Sequence, residues 1–572
     1  MQHDLIATAR AWLAQDPDPE TRRELSALLD AGEEKALAER FAGTLQFGTA
    51  GLRGELGAGP TRMNRAVVIR AAAGLAAYLN ERVRPGEDGP GLVVIGYDAR
   101  HKSAEFARDT AAVVTGAGLR AAVLPRPLPT PVLAFAVRHL GAVAGVEVTA
   151  SHNPPRDNGY KVYLGAGAAP EPSGAGAQIV PPADEEIAAH IAAVGDLREV
   201  PRPEEGWEVL GEEVLRAYLE RAEGVLTPGS AREAQVVYTP LHGVGREVLT
   251  AAFARAGFPP PTVVAEQAEP DPDFPTVAFP NPEEPGAMDL AFATARSVGP
   301  DVVIANDPDA DRCAVAVPAP GTPAGWRMLR GDEVGALLAA HLVARDRARA
   351  ERGDTFATTI VSSSVLARIA RASDLAYEET LTGFKWLARV DGLRYAFEEA
   401  LGYCVDPEGV RDKDGITAAL LVTELVAELR VSGRTLGDLL DDLALEFGLH
   451  ATDQLSVRVA DLSVIGDAMR RLREGPPVEL GGLAVETVED LSAGVAGLPP
   501  TDGLRYRLAG SQGAGVKGGR VVVRPSGTEP KLKCYLEVVV PVGTSGALPQ
   551  ARAGAAEVLE RVKRDLARAA GI

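Results

Sequence analysis

Four short stretches carry side chains whose types and spacing could do chemistry. In residues 146–163, VEVTASHNPPRDNGYKVY, Ser151 stands between a β-prone apolar run at 142–148 and a loop rich in Asn, Pro and Gly. Asn153, Pro154, Pro155, Asn158 and Gly159 are turn residues that neither continue a strand nor start a helix, so Ser151 is expected exposed at a strand end. That is a position for a nucleophile. His152 and Asn153 offer hydrogen bonds beside it, and Lys161 lies within reach of an anion on the serine. In residues 306–312, NDPDADR, Asp307, Asp309 and Asp311 alternate on a turn, so their carboxylates can converge on one cation. Hard oxygen ligands suit Mg²⁺, and a calcium loop of the EF-hand type would need a central Gly and a terminal Glu that are missing. Arg312 next to them can neutralise a phosphate.

Two further stretches add binding groups. FEEALGY, residues 397–403, puts Glu398 and Glu399 before a glycine, where paired acids can grip sugar hydroxyls or form a solvated helix end. RPSGTEPK, residues 524–531, follows the run VVV and offers the guanidinium of Arg524, the hydroxyls of Ser526 and Thr528, and a free backbone at Gly527. Those are the parts of an anion nest. Arg53, among Gly48, Gly51 and Gly54, is a charged fork suited to phosphate, and Lys385 follows a Gly turn in LTGFKW.

Positioning these groups requires several domains. With 572 residues the chain has length for roughly four domains of about 150 residues. Helical spacing over residues 1–44 is followed by alternating strands and helices, which predicts mainly parallel α/β layers. The expected boundaries give α/β domains at 1–205, 206–321 and 322–445, then an α+β domain at 446–572. Each holds one constellation: Ser151, the Asp triplet, the Glu pair and the nest. A net charge of −20 argues against nucleic-acid and anionic-membrane partners. Three scattered cysteines suggest neither disulfides nor a zinc site, and no apolar run approaches the roughly 18 residues that span a bilayer. A cytoplasmic location is expected.

Taken together, TASHNP, DPDADR, FEEALGY and RPSGTEPK, in this order and across nearly the whole chain, resemble the α-D-phosphohexomutase family of phosphoglucomutases and phosphomannomutases. GTAGLRG, TGFKW, PNPEEPG and FEEALGYCVDPEGVRDKDG are most similar to its longer branch, which includes phosphopentomutases. The resemblance implies four domains around a central cleft, three α/β and one α+β, with one Mg²⁺ per chain and a sugar bisphosphate as activator. Ser151 would be carried as phosphoserine and, with Asp307, Asp309 and Asp311, would hold the Mg²⁺. Glu398 would bind sugar hydroxyls, and Arg524, Ser526, Gly527 and Thr528 the non-reacting phosphate. Arg53, Lys161, Arg312 and Lys385 match charged positions near the transferring phosphoryl group, with Lys161 and Lys385 as candidate bases. Many hexomutases have serine where this chain has Ala400.

The activity so implied is interconversion of a sugar 1-phosphate and 6-phosphate, glucose first and mannose second, by a monomer or homodimer acting on a small molecule. A pentose phosphate is the rival substrate. A metal-dependent phosphatase would not need a second phosphate clamp, and a serine hydrolase would need neither the acidic loop nor this serine setting. Two similar substrate ends must occupy one site in turn, which favours a mobile last domain.

Overall fold

The computed structural model describes residues 2–48, 51–83, 89–345, 353–459, 461–495, 497–511, 513, 515–526 and 531–572. Three sheets repeat one plan. In the first, parallel strands lie in the order Ala144–Val148, Leu92–Tyr97, Arg120–Val123, so the earliest in sequence is central. The second runs Val302–Ala305, Val236–Thr239, Thr262–Val263, and the third Leu393–Glu398, Thr355–Thr359, Ala376–Thr380. Helices cover such sheets on both faces, so their strands must be apolar throughout. Val93, Val94 and Ile95 in one, and Val302, Val303 and Ile304 in the next, are fully buried.

The repeat puts three constellations at one topological place. Ser151 follows Ala144–Val148, Asp307 follows Val302–Ala305, and Glu398 ends Leu393–Glu398. Each is therefore at the C-terminal end of the last of three parallel strands, where open α/β sheets present ligands. In the first two domains an antiparallel strand then returns, Asp157–Leu164 and Ala314–Pro318.

Two local expectations are corrected. Asn158 and Gly159 lie inside the strand Asp157–Leu164. Asn158 is buried, donating to the His101 carbonyl at 2.8 Å and Ser103 Oγ at 3.0 Å, and a Cβ on Gly159 would meet the Thr149 carbonyl at 2.5 Å. Close strand approach, rather than a turn, explains that glycine. Likewise Leu52–Glu55, read as part of a glycine-rich loop, is a strand paired with Asp157–Tyr160. Gly51 has φ 72°, and a Cβ there would lie 1.8 Å from the Tyr160 carbonyl, so only glycine fits.

The fourth sheet is antiparallel, in the order Leu449–Arg458, Lys531–Val540, Val516–Pro525, Leu504–Ser511, Leu483–Asp490, Glu479–Leu480. Helices Ser463–Glu474 and Leu548–Ala570 cover one face through Met469, Leu472, Val558, Val562 and Leu566. By compactness the chain divides into two units: residues 1–329 with 402–428, and 330–401 with 429–572. The C-terminal domain therefore shares a unit with the parallel strands of the third sheet.

A buried polar network explains that grouping. Glu537 accepts hydrogen bonds from Ser363 Oγ at 2.7 Å and the Ser364 N–H at 2.8 Å, and lies 3.1 Å from His450 Nδ1. Arg520 bridges Glu379 and Glu537. Burial would raise the Glu537 carboxyl, but His450 and Arg520 hold it down at about 2. Asp332 Oδ1 accepts the Ser363 N–H at 2.6 Å without a cation of its own in that bond, and burial, aided by Glu399 and Glu537, pushes it from 3.8 to about 7.

Such a raised carboxyl stabilises the fold fully below its unfolded value, and that contribution is lost as pH rises through about 7. Asp332→Asn keeps the acceptor for Ser363 and removes the titration. Its stability relative to wild type should rise between pH 4 and 7, by at most on the order of 4 kcal/mol, and level off above. Denaturant unfolding at pH 5 and pH 8 checks this; a pH-independent difference would contradict it.

Candidate active site

Ser151 sits on a turn whose backbone is pinned from several sides. Its φ is 51°, in the left-handed region that a residue with a Cβ seldom adopts. Thr149 Oγ1 accepts its N–H at 2.9 Å. The buried guanidinium of Arg100 donates to the carbonyls of Ser151 (2.5 Å), Asn153 (2.7 Å), Pro154 (2.9 Å) and Asp157 (3.2 Å). Asp98 lies 3.3 Å from that guanidinium and the Phe274 ring 4.9 Å. Arg100 thus ties both ends of the serine loop to the neighbouring strand end. Contrary to expectation, Ser151 is only 3% exposed, because the loop packs against the acidic turn.

The acidic turn is completely buried, and single oxygens of Asp307, Asp309 and Asp311 lie within 4.8 Å of one another. Ser151 Oγ donates to Asp307 Oδ2 at 2.7 Å, bringing the serine onto the acid cluster. Lys161 Nζ, from the returning strand, bridges Asp309 Oδ2 at 2.7 Å and Asp311 Oδ2 at 2.9 Å. Thr130 Oγ1 donates to Asp309 Oδ2 at 2.8 Å, and Arg312 Nε lies 3.8 and 3.9 Å from Asp307 and Asp311. Asn306 holds the turn closed, donating to the Arg312 carbonyl at 2.6 Å and accepting from Tyr238 at 2.8 Å.

Lys413, in the segment 412–415 (DKDG), joins this cluster with Nζ 3.2 Å from Asp311. The next helix, Gly415–Val431, starts against the acidic turn, and a Cβ on Gly415 would lie 2.3 Å from the Arg312 carbonyl. Arg53 Nη1 donates to Asn153 Oδ1 at 3.3 Å, and its guanidinium interacts with Asp309 and Asp311.

Like charges this close cannot all ionise at no cost. Burial first, then Asp309 and Asp311, push Asp307 well above the usual carboxylate range. For Asp311, burial is outweighed by Lys161, Lys413 and Arg312, which hold it far below that range. Lys161 is kept an ammonium by Asp309 and Asp311 despite its burial, so in this arrangement it donates and does not accept a proton. Asp309 Oδ1 and Asp311 Oδ1 are buried without a hydrogen-bond partner. Two orphaned oxygens on a three-acid turn fit a hard divalent cation.

The structure brings Ser151, His152, Lys161, Arg53, Arg312 and the three aspartates together. His152 Nδ1 is 3.2 Å from Ser151 Oγ. Glu398, Lys385, Arg524 and Ser526 lie in the other unit: Glu398 at a strand end, Lys385 in the short helix Phe384–Leu387, and Arg524 near the end of Val516–Pro525. Glu399 accepts from Ser362 Oγ at 3.1 Å. Gly527 and Thr528 lie outside the described residues. Sequence reasoning missed Arg100, Thr130 and Lys413. Each follows or precedes a regular element at a charged or proline-rich turn, YDAR, LPTP and DKDG, which was the available signal.

Family models for phosphoglucomutase/phosphomannomutase α/β/α domains I, II and III match residues 44–195, 216–321 and 330–447, and the C-terminal domain model matches 515–542. The chain belongs to the phosphoglucomutase/phosphomannomutase family, within the α-D-phosphohexomutases, and has their four-domain architecture. It is an isomerase, a phosphosugar mutase. It is 48% identical to the "Probable phosphomannomutase" of Haemophilus influenzae, over 83% of this chain and 93% of that one. The "Probable phosphoribomutase" of Schizosaccharomyces pombe is 37% identical over 92% of each chain. A solved phosphoglucomutase/phosphomannomutase family protein from Burkholderia thailandensis shares the fold, with a TM-score of 0.66 at 20% identity, covering 92% of this chain and 97% of its own.

If the aspartates are a cation site, Mg²⁺ should stabilise the first unit, by about 2.7 kcal/mol at a hundredfold excess over its Kd. Asp307→Asn should abolish that gain, yet melt no lower than wild type in chelator, since burial and the two neighbouring aspartates already disfavour the charge it removes. Thermal unfolding of both proteins in EDTA and in Mg²⁺ checks this. An equal Mg²⁺ effect on both would contradict the assignment.

Proposed function

We propose that Ser151 carries the phosphoryl group and that the chain interconverts hexose 1-phosphates and 6-phosphates. The observation that carries this reading is the 2.7 Å hydrogen bond from Ser151 Oγ into a buried three-acid turn with orphaned oxygens. Asp307, Asp309 and Asp311, with a phosphate oxygen on Ser151, would hold one Mg²⁺, which supplies neutralisation of the charge that spreads over the phosphoryl oxygens. Phosphoryl transfer asks chiefly for placement and charge compensation, and the chain's own residues provide both. Arg100 fixes the serine backbone. Arg53, Arg312, Lys161 and Lys413 concentrate positive charge in a chain of net charge −20.

In the first half-reaction the bond from phosphorus to Ser151 Oγ breaks and a bond to a sugar hydroxyl oxygen forms. The hydroxyl loses its proton and Oγ gains one. His152, with Nδ1 3.2 Å from Oγ, is placed to exchange the proton at the serine. Lys161 and Lys385 were the bases expected from sequence; the charged state of Lys161 leaves it the role of electrostatic partner. The bisphosphorylated sugar then returns its other phosphoryl group to Ser151 by the same steps reversed. A sugar bisphosphate would act as activator by phosphorylating Ser151. Glu398 would bind sugar hydroxyls and Arg524 and Ser526 the resting phosphate, with Gly527 and Thr528 completing the nest.

Glucose or mannose phosphate is the proposed substrate, supported by the phosphomannomutase name of the 48% identical relative. Ribose phosphate is the second reading, favoured by Ala400, which offers no hydroxyl after Glu398, and by the phosphoribomutase relative. Among the described residues no helix is long and apolar enough to cross a membrane, and Cys313, Cys404 and Cys534 are buried and unpaired. That cysteine state agrees with a reducing compartment, and the cytoplasm is the proposed location.

An assay with Mg²⁺ and catalytic sugar bisphosphate, offering glucose 1-phosphate, mannose 1-phosphate and ribose 1-phosphate side by side, decides the sugar. A hexose should turn over fastest; ribose 1-phosphate turning over fastest would overturn that choice. Ser151→Ala should lose at least about a thousandfold in kcat and remain folded, its stability lowered only by the lost bond to Asp307, about 1–3 kcal/mol. Near-normal turnover would sink the phosphoserine mechanism.

A further inference from the structure

The unit formed by residues 330–401 and 429–572 holds both the acids proposed to bind sugar and Arg524, and one aromatic side chain packs where the third and fourth sheets meet. Tyr535 lies on the strand Lys531–Val540, opposite Val522 in the register with Val516–Pro525. Arg524 pairs with Lys533 two residues along, so Tyr535 and Arg524 are diagonal neighbours on one face, the separation at which long side chains meet. Across that diagonal the Arg524 charge acts on the Tyr535 hydroxyl. On the opposite side the ring packs in an apolar cluster with Ile360, Val361 and Leu381, against which Trp386 rests. Ile360 and Leu381 each directly follow a strand of the third sheet.

Burial first, then Glu399 and Glu398, push the Tyr535 phenol well above its ordinary range, while Arg524 draws it back; Glu399 itself accepts from Ser362 Oγ at 3.1 Å, one residue after the Val361 on which the ring packs. The hydroxyl therefore stays protonated and able to donate at any working pH. Two residues further along the same strand face, Glu537 receives Ser363, Ser364 and Arg520. One edge of this strand thus fastens the C-terminal sheet to the third sheet at two successive positions, a charged one and an aromatic one.

We infer that Tyr535 is a positioning residue that sets the spacing between the phosphate-binding Arg524 and the sugar-binding carboxylates Glu398 and Glu399, and thereby the length of sugar phosphate accepted. The inference rests on the roles given above to Arg524 and Glu398. A hexose and a pentose phosphate differ by one carbon between the hydroxyls and the far phosphate, so a fixed spacing discriminates between them. Tyr535 does not touch the reacting atoms, so its loss acts on binding.

Tyr535→Phe keeps the ring in its cluster and removes only the hydroxyl. The expected result is a KM for the preferred sugar phosphate raised roughly tenfold, the scale of one hydrogen bond to a charged group, with kcat within about twofold. The Kd for inorganic phosphate, measured by calorimetry, should rise by a similar factor, and preference between glucose 1-phosphate and ribose 1-phosphate should weaken. Tyr506→Phe, a fully buried tyrosine of the same sheet whose hydroxyl faces the Leu472 carbonyl, should change none of these. In an Arg524→Lys background, Tyr535→Phe should add little, because its partner fork is gone. Unchanged KM and phosphate affinity in Tyr535→Phe, or a full additive effect in Arg524→Lys, would overturn the inference. A wild-type protein that turns over no sugar phosphate would instead contradict the mutase reading, and phosphate calorimetry would still test Tyr535.

Discussion

Three carboxylates crowded at the end of one buried strand are the constraint on which the rest of the first unit depends. Unit charges about 4 Å apart repel by roughly 4 kcal/mol even at the effective dielectric of a protein surface. Asp307, Asp309 and Asp311 are fully buried, so the surrounding structure has to answer that repulsion. It does so by drawing in cations from several parts of the sequence. Lys161 arrives on the strand after the serine loop, Arg312 from the turn itself, and Lys413 from a segment more than a hundred residues later. Ser151 arrives as a hydroxyl donor to Asp307, the acid that burial leaves hardest to ionise. Carboxylates that draw in lysines without satisfying all their oxygens also have lone pairs left to bind a metal cation.

The chain solves placement by repetition. The same strand order in three sheets delivers Ser151, the aspartates and Glu398 to equivalent strand ends. Loops there are free to carry chemistry because the parallel strands beneath them are held by their own ladders and by apolar packing. On the proposed reading, the second unit handles a different problem, the holding of two substrate ends at a fixed distance. Its buried polar network around Glu537 and the apolar cluster around Tyr535 both join the third sheet to the fourth. Glu398 and Arg524, the acid and the arginine proposed to hold the substrate, consequently belong to one compact body.

Much of this was legible in the sequence. Strand and helix alternation gave the α/β class, and NDPDADR gave the turn on which three carboxylates converge. Less legible were contacts made over long sequence distance. The charged turns YDAR and DKDG mark Arg100 and Lys413 locally but do not name their partners, a loop 51 residues away and Asp311. Asn158 and Gly159 were read as turn residues because their types favour turns. Tertiary packing overrode that preference: Asn158 found buried partners and Gly159 a gap too small for a side chain. The burial of Ser151 was also hidden, since exposure at a strand end depends on what packs over it.

The most direct test of the account is to locate the phosphoryl group. Purified protein would be incubated with Mg²⁺ and glucose 1,6-bisphosphate, freed of small molecules, and its phosphorylation mapped by mass spectrometry of peptides. The account predicts a single phosphoryl group on Ser151, lost on subsequent incubation with excess sugar monophosphate and absent when Asp307 is replaced by Asn. A phosphoryl group on another residue, or none on Ser151 in a protein that interconverts sugar phosphates, would contradict it.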